Sequence, residues 1–343
     1  MAGPAGVRRG ATVTAGARVA TEAAAVGSDP APPRRRGRGS GRIPYLLMLP
    51  CLIVIAALLL WPLVQVGVMS LFDLDSVRQV RGQRPWPWAG LENYREILTD
   101  PFFHTVLRNT VLFATANVAL TMVLGTLVGL LLHRLGRKMA AFVGGCVLLA
   151  WATPALTGTI TWKWIFDDTN GLVTWLFNAL PDALSRSVFG RSDWTGYGWF
   201  NAPLSFFAIL TLVVVWHSFP FIAVSVLAGL KSLPTELLEA ARVDGAGPWR
   251  VFRSVTFPLL RPVFGILVVL STIWDFKVFT QQFVLAGGTQ DRPTFMLSIY
   301  SYATAFSPPP KYGLGAAIAV VLTAILLLVT GVYVRALLRQ EEL

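Results

Sequence analysis

Residues that could carry out acid–base, nucleophilic or metal chemistry are few in this chain and far apart in its sequence. The three histidines are His104, His133 and His217, and the two cysteines, Cys51 and Cys146, lie inside apolar stretches. No nucleophile–base pattern and no metal-ligand spacing links any of them. The sequence also lacks a Gly-x-x-x-x-Gly-Lys-Ser/Thr phosphate loop, so it offers no site of that kind for ATP. We therefore expect no catalysis, no bound metal ion and no cofactor.

Two charged residues, Asp275 and Lys277, interrupt an otherwise apolar segment. The 13 uncharged residues before them, Pro262 to Trp274, would form only about 20 Å of helix, so the segment must continue past the charges to cross a bilayer. Ionised side chains at membrane depth cost at least roughly 2.5–3.5 kcal/mol each unless they face water or a partner. Because the two residues are two positions apart, we expect them on different sides of one helix. Either both reach the outer interface, or one faces a polar path.

The polar segment 231–261 has the pattern of two short helices joined by a break. Ser232 is a suitable cap for a first helix that continues to Val243, and a glycine-containing turn follows. Pro248 is suited to open a second helix, and Pro258 to end it. The sequence therefore predicts a helix–turn–helix between two apolar segments.

This helix–turn–helix has the composition of a docking element. Small side chains at its centre allow another backbone to approach closely, and two aromatic residues, Trp249 and Phe252, are the kind of anchor that dominates interfaces. Glu239 and Asp244 supply charges for a partner. On composition alone, a solvated hairpin that only joins two spans remains an alternative.

The rest of the chain has the composition of an all-α integral membrane protein. Hydrophobic residues make up 54% and charged residues 14% of the 343 positions, whereas soluble domains carry about 25% charged residues. A membrane span needs roughly 20 apolar residues. Six segments qualify within a transmembrane domain at 45–335: they are 45–72, 109–132, 139–162, 201–230, 262–283 and 312–334. Pro154 predicts a kink in the third, and Gly125 with Gly129 predicts close helix packing in the second.

Basic residues lie mostly on one side of this topology. With six spans, both termini share a face with the loops 133–138 and 231–261, and that face carries 18 basic and 7 acidic residues. The other face carries 11 of each, so the whole excess of +11 lies on one side. The positive-inside rule assigns that side to the cytoplasm. The net charge is thus explained by topology, and we expect no nucleic-acid partner.

The first 44 residues form a tail rich in Ala, Gly, Pro and Arg without apolar periodicity, which predicts a disordered cytoplasmic segment. An arginine cluster at 34–38 precedes the first span and is suited to contact anionic membrane lipid. A cleaved secretory signal is the alternative. The apolar run is too long for one and has no small-x-small cleavage site, which favours an uncleaved anchor.

Several short motifs stand out in and around the polar segment 231–261. In the segment itself they are Glu239-Ala240-Ala241, Asp244-Gly245-Ala246, Phe252 and Pro258-Leu259. These residues, and their place between two spans, resemble the EAA loop of the membrane subunits of ABC importers. Gly90-Leu91-Glu92-Asn93-Tyr94 looks like the family's GLxNY element, and Ala286-Gly287-Gly288 fits its outer stretch. These motifs are similar to those of the maltose and glycerol-3-phosphate permease branch.

The resemblance implies an ABC type I importer permease fold with six transmembrane helices and both termini cytoplasmic, in the plasma membrane of a prokaryote. It implies a transport subunit, not an enzyme, with ATP hydrolysis on two separate ATP-binding cassette subunits. A second homologous permease subunit and an extracytoplasmic solute-binding protein would complete the importer. The implied cargo is a mono- or oligosaccharide, with a phosphorylated polyol or other small solute as the alternative. The residues implied to couple to the ATPase are Glu239, Ala240, Ala241, Asp244, Gly245 and Ala246.

In this family the solute path lies between the spans that flank the EAA loop. The candidates on these spans are Trp216, His217, Ser218, Trp274 and Asp275. Tryptophan rings stack on sugar rings, and polar side chains bond to hydroxyl groups. Structural roles compete with this interpretation, because Trp216 is equally suited to helix packing or an interfacial belt and His217 to a hydrogen bond with a neighbouring helix.

Three other functional classes fit the sequence less well. A stand-alone secondary transporter or channel would favour inverted repeats and several intramembrane charges, and this sequence has no clear repeat and few such charges. An intramembrane enzyme would need a catalytic pattern. A purely structural membrane protein would leave the EAA-like loop unexplained.

Overall fold

The computed structural model describes residues 43–289 and 292–341, and every regular element within these ranges is a helix. An isolated bridge pairs Phe72 with Trp88. The all-α class expected from the sequence is therefore confirmed. Residues 1–42 of the predicted disordered tail lie outside the described residues.

The chain divides into two compact units, Met1–Ala57 and Leu58–Leu343. The described part of the first unit contains α1 (Ile43–Ile55) and the start of a π-helical turn, Ala56–Leu60. Every side chain from position 47 to position 57 is exposed. Because these side chains are almost all apolar, lipid or another chain must cover them in a membrane.

The second unit contains the remaining helices. In its first half they are α2 (Trp61–Met69), α3 (Val77–Val80), α4 (Glu92–Thr99), α5 (Pro101–Arg134), α6 (Arg137–Ala152), α7 (Ala155–Ile165), α8 (Leu172–Asn178) and α9 (Asp182–Phe189). In its second half they are α10 (Pro203–Ser232), α11 (Thr235–Val243), α12 (Pro248–Val251), α13 (Phe257–Leu259), α14 (Arg261–Phe276), α15 (Thr280–Leu285), α16 (Leu297–Phe306) and α17 (Tyr312–Glu341). A π-helical turn spans Phe252–Thr256, and a short 3₁₀ turn spans Arg292–Thr294.

Within the described ranges, five helical segments are long and apolar enough to cross a membrane. They are Leu47–Met69, Pro101–Arg134, Pro203–Ser232, Arg261–Leu285 and Tyr312–Ala336. A sixth span results if the bent pair α6 and α7 counts as one crossing. One helix or helix pair therefore lies on each of the six segments expected from the sequence.

The second span begins earlier than the apolar pattern indicates. Its expected bounds are 109–132, whereas α5 begins at Pro101. The Asp100 side chain caps the helix by accepting a hydrogen bond of 2.9 Å from the backbone N–H of Phe102, and Pro101 occupies the first turn, where a missing N–H does no harm. Hydropathy alone misses this start because the first turns of α5 are amphipathic.

The third apolar segment, 139–162, bends sharply at the proline that predicts a kink. Helix α6 ends at Ala152 and α7 begins at Ala155, with a bend of 95° between them. Thr153 is extended, with φ −67° and ψ 129°, as the residue before a proline prefers to be. Pro154 has no N–H to continue the ladder of α6.

The fifth span is also discontinuous. The expectation that one helix carries Asp275 and Lys277 on different sides is wrong, since α14 ends at Phe276 and helix resumes only at Thr280. Asp275 therefore lies in the last turn of α14 and is buried, whereas Lys277 follows the helix and is exposed. Irregular backbone at membrane depth is tolerated where it is buried in protein or lines a cavity.

Two glycines allow α5 and α10 to pack closely. A Cβ at Gly125 would lie 2.5 Å from Ile222 Cβ, and a Cβ at Gly129 would lie 2.8 Å from the carbonyl oxygen of Ala223. Real Cβ atoms do not approach other atoms this closely, so only glycine permits the observed helix separation. The interpretation of these two glycines as a packing motif is confirmed.

The Gly90–Tyr94 element anchors the end of α2. The Asn93 side-chain amide donates hydrogen bonds to the carbonyl oxygens of Ser70, at 2.8 Å, and Phe72, at 3.0 Å. The hydroxyl groups of Tyr94 and Ser70 are 2.6 Å apart. Asn93 is buried, so it supplies donors to carbonyl groups that α2 leaves unpaired at its end.

We expect Gly125→Ala to destabilise the folded chain, because the added methyl group forces α5 away from Ile222. Overpacking of this kind typically costs about 1–3 kcal/mol. Thermal unfolding of the purified chain in detergent measures the effect. Gly144→Ala in α6 is the matched control, since a Cβ there meets nothing within 4 Å. Equal changes in melting temperature for the two variants would contradict the packing role.

Candidate functional site

The turn after α11 is closed by backbone hydrogen bonds and one glycine. The N–H of Gly245 donates to the carbonyl of Arg242, and the N–H of Ala246 donates to the carbonyl of Ala241, each at 3.0 Å. Gly245 has φ +78°, a left-handed conformation that side chains other than glycine rarely adopt. This pair of bonds is the Schellman arrangement, which satisfies the last carbonyl groups of a helix.

The limits of the helix–turn–helix differ from the sequence expectation at both ends. Ser232 does not cap α11, because it is the last residue of α10 and its hydroxyl donates to the carbonyl of Gly229 at 2.8 Å. Helix α11 starts at Thr235, after Pro234. Pro258 does not end the second helix either, because it lies within α13. The preceding π-helical turn widens the ladder ahead of a residue that has no N–H.

The turn presents small and apolar groups to its surroundings. Glu239, Ala240, Asp244 and Gly245 are exposed, whereas Ala241 and Ala246 are half-buried. A Cβ at Gly245 would meet nothing within 4 Å. Close by, the side chains of Val243 and Trp249 are 87% and 70% exposed. Exposed apolar groups around an open, rigid turn indicate a surface made to contact another molecule.

A second candidate site is a cavity of about 320 Å³ between α10, the end of α6 and the break in the fifth span. Its lining residues are Trp151, Val214, His217, Ser218, Trp274, Asp275, Lys277, Val278, Phe279, Thr280 and Gln281. The structure therefore brings together His217, Ser218, Trp274 and Asp275 from the sequence candidates. Aromatic rings form one wall, because Trp274 packs edge-on against Phe221, with ring centroids 5.2 Å apart.

His217 holds the broken third span against α10. Its Nε2 lies 3.0 Å from the carbonyl oxygen of Thr153. Since a carbonyl can only accept, Nε2 carries the proton and donates. Thr153 precedes the proline at the break, so this carbonyl has lost its place in a regular helix. His217 therefore has a structural role as a hydrogen-bond donor to a neighbouring helix, and the same side chain lines the cavity.

Asp275 is the most buried polar group of the cavity, with 2% of its surface exposed. Within the described ranges, its carboxylate forms no hydrogen bond and no ion pair with the protein. Lys277, which also lines the cavity, is exposed. A buried acidic side chain that lines a cavity has its oxygens available to a bound polar molecule or to water.

Trp216 lies outside the lining of this cavity. Its ring packs edge-on against Trp162, with ring centroids 5.8 Å apart. A Cβ at Gly158 would lie 3.2 Å from the same ring. Of the five candidates, Trp216 is the one that the structure separates from the others, and its contacts are those of a packing residue.

Some lining residues were not anticipated from the sequence. Trp151 enters the cavity because α6 ends just after it, and Thr280 and Gln281 enter because α15 begins after the break. Two signals were available in the sequence: Pro154, and an apolar run before Asp275 that is too short to span a bilayer. Both marked a break without indicating which side chains it would bring together.

The chain matches the family model described as the inner membrane component of binding-protein-dependent transport systems, over residues 122–340. The permease protein DasB of a diacetylchitobiose uptake system, from Streptomyces coelicolor, is 40% identical over 90% of each chain. The trehalose/maltose permease protein MalF of Thermococcus litoralis is 31% identical over 86% of this chain and 93% of its own.

The fold is also similar to that of solved importers. A bacterial ABC transporter that imports the acidic polysaccharide alginate has a chain that aligns with a TM-score of 0.67 at 18% identity, covering 85% of this chain and 95% of that one. A second structure of an alginate transporter, in complex with a periplasmic protein bound to an alginate pentasaccharide, aligns with the same TM-score over 84% of this chain.

Proposed function

The chain belongs to the family of inner membrane components of binding-protein-dependent transport systems, and from that premise we propose that it conducts a mono- or oligosaccharide through the membrane. It is a multi-pass permease subunit of a prokaryotic plasma membrane, and it is a transport component, not an enzyme. Membership in this family decides against a stand-alone transporter, an intramembrane enzyme and a structural protein.

The names of the relatives are the observation that carries the sugar proposal. The 40% identical relative serves diacetylchitobiose uptake, and relatives at 31% identity serve trehalose and maltose or sulfoquinovosyl glycerol. The matches cover most of both chains. A sugar cargo is therefore favoured over the phosphorylated polyol considered from the sequence.

The cavity beside α10 has the chemistry that a sugar path needs. Trp274 offers an aromatic face for the apolar side of a sugar ring, while His217, Ser218 and Asp275 offer hydrogen-bonding groups for hydroxyls. Its volume of about 320 Å³ is at the lower end of small-molecule sites. We assign the solute path to these four residues.

The turn around Gly245 is assigned to coupling with an ATP-hydrolysing partner. Its rigid backbone, small side chains and exposed apolar neighbours suit insertion into a groove of another protein. The complete importer would contain two ATP-binding cassette subunits, a second homologous permease subunit and an extracytoplasmic solute-binding protein. Both termini would then lie in the cytoplasm, on the same side as this turn.

Motion of the turn can reach the cavity through one continuous helix. His217 and Ser232 both lie on α10, about 22 Å apart at 1.5 Å per residue. A rigid-body shift at the cytoplasmic end of α10 would therefore move one wall of the cavity relative to the break in the fifth span. Binding of ATP by the partner would favour one of two states of the path.

Uptake by the complete importer tests the sugar proposal. We expect liposomes that contain all subunits and the binding protein to accumulate a disaccharide, such as diacetylchitobiose or maltose, only when ATP is supplied. Glycerol 3-phosphate serves as the anionic comparison. Accumulation of glycerol 3-phosphate without any sugar, or sugar accumulation that persists without ATP, would contradict the proposal.

We expect Gly245→Asp to abolish uptake while membrane insertion stays normal, because a side chain in the left-handed turn both strains it and blocks the partner. Gly190→Asp is the matched control. Gly190 has φ +73° and equally open surroundings. It follows α9, in the segment before α10, whereas the turn around Gly245, here called the coupling turn, follows α10. Uptake measured in vesicles with equal amounts of each variant should be lost only for Gly245→Asp.

Chemical cross-linking tests directly whether the turn around Gly245 contacts an ATPase subunit. Cys51 and Cys146 are exposed and are first replaced by alanine. A cysteine at Ala241 should then cross-link to an ATPase subunit, and a cysteine at Asp182 in α9 should not. Failure at Ala241 in an assembled complex would count against docking by this turn.

We expect Trp274→Ala to raise the sugar concentration needed for half-maximal uptake, roughly tenfold if one stacking contact is lost. Trp216→Ala, whose ring packs on Trp162 instead, should lower thermal stability and leave that concentration unchanged. Initial uptake rates at several concentrations, together with melting curves, separate the two effects. An unchanged concentration dependence for Trp274→Ala would remove this residue from the path.

A further inference from the structure

A cleft of about 560 Å³ lies away from both sites described above, at the junction of α7 and α8. Its lining residues are Trp164, Ile165, Thr169, Asn170, Leu172, Thr174, Trp175 and Asn178. Two indole rings thus share one concave surface with hydroxyl and amide side chains. This combination presents both apolar faces and hydrogen-bonding groups.

The two tryptophans of this cleft differ from most others in the chain. Trp164 is 71% and Trp175 is 64% exposed. Within the part of the chain that the structure describes, neither ring packs on another aromatic ring and neither indole N–H donates a hydrogen bond. By contrast, Trp194 and Trp199 are buried, stacked on each other, and hydrogen-bonded through their indole N–H groups. Trp164 and Trp175 therefore keep their ring faces and donors available to a ligand.

The floor of the cleft is held rigid by buried contacts. The Thr174 hydroxyl donates to the carbonyl of Asp167 at 2.8 Å and accepts from the indole N–H of Trp199 at 2.9 Å. The Asn178 amide is fixed as well, because its oxygen accepts from the backbone N–H of Trp194 at 2.7 Å and its nitrogen donates to Thr195 at 3.1 Å. A cleft that is fixed before binding loses little entropy when a ligand is bound.

The charge beside the cleft favours a neutral ligand. The Asp167 carboxylate accepts hydrogen bonds from the backbone N–H groups of Asn170, at 2.8 Å, and Thr169, at 3.0 Å. These bonds lower the pKa of Asp167, so it stays ionised at neutral pH. The Thr169 hydroxyl donates to Asp168 at 3.3 Å. The nearby cation, Lys163, is bound to the carbonyl of Val284 and lines a different cavity.

The cleft and the coupling turn lie at opposite ends of α10. The cleft lies near the start of α10, because Ile165 of its lining packs against the same apolar cluster as Phe206 in the first turn of α10. The turn around Gly245 follows Ser232, where α10 ends. A helix of 30 residues is about 45 Å long, enough to cross a bilayer. With the coupling turn in the cytoplasm, the cleft faces the outside.

We propose that the cleft between Trp164 and Trp175 is an outer binding site for a neutral sugar, separate from the cavity beside α10. The two indole rings stack on the apolar faces of sugar rings, and the amide groups of Asn170 and Asn178 bond to hydroxyls. None of the described lining residues is basic, and Asp167 and Asp168 lie beside the cleft, so it disfavours phosphorylated ligands. The choice of a sugar as the ligand rests on the proposed function. The experiment below distinguishes failure of this site from failure of the proposed function.

Sugar binding to the assembled transporter in lipid nanodiscs, without the binding protein, tests this site. Saturation-transfer NMR with diacetylchitobiose and maltose as probes should detect binding to the unmodified complex, and glycerol 3-phosphate should give no signal. Trp164→Ala and Trp175→Ala should each weaken sugar binding roughly tenfold. Phenylalanine at either position should restore most of it, because a ring face is retained. Trp61→Ala is the matched control, since Trp61 is 60% exposed and remote in sequence.

Three results would overturn the proposal. Sugar signals that survive in both alanine variants and vanish in Trp274→Ala would assign all binding to the cavity beside α10. If Trp164→Ala and Trp175→Ala lower thermal stability as much as Trp61→Ala does and leave sugar binding unchanged, these tryptophans are membrane-interface anchors. If the unmodified complex gives no sugar signal, the site is excluded even when ATP-driven sugar uptake is intact. If sugar binding is retained but uptake is absent, only the proposed function is refuted.

Discussion

Every break of a helix inside a membrane leaves backbone carbonyl and N–H groups that need a partner. The described part of this chain has two such breaks next to α10, at Thr153–Pro154 and at Lys277–Phe279. At the first break, His217 donates to the carbonyl of Thr153. At the second, the Ser298 hydroxyl donates to the carbonyl of Val278 at 2.6 Å. Residues beside both breaks line the same cavity, and we propose that a solute passes there.

Close packing of α5 and α10 determines where the cavity forms. Gly125 and Gly129 allow α10 to approach so closely that no side chain fits at these two positions of α5. One face of α10 is thereby fixed, which leaves His217 and Ser218 to line the cavity with the broken fifth span. A continuous helix that is held along one face is suited to transmit a shift of the turn that follows it as rigid-body motion.

The sequence predicted the helical class, the six apolar segments and the glycine-containing turn because each depends on local composition. Hydropathy gives the spans, and the Asp244–Gly247 stretch gives the turn. The two breaks were indicated only by Pro154 and by the short run before Asp275. The sequence could not predict that these breaks meet across α10, since that contact is set by tertiary packing. For the same reason it grouped Trp216 with His217, although adjacent residues on a helix point in directions about 100° apart.

The exposed surfaces at the two ends of α10 differ in a way that matches their proposed partners. At the coupling turn, Val243 and Trp249 are exposed around small residues, a surface that a protein groove can cover with little loss of polar hydration. At the other end, Trp164 and Trp175 are exposed beside amide side chains and near carboxylates. The polar groups of this surface stay hydrated, and the surface suits a ligand that has both apolar ring faces and hydroxyl groups. The difference follows from chemistry: a permanent subunit must bind through buried apolar area, whereas a passing sugar must be held weakly enough to leave.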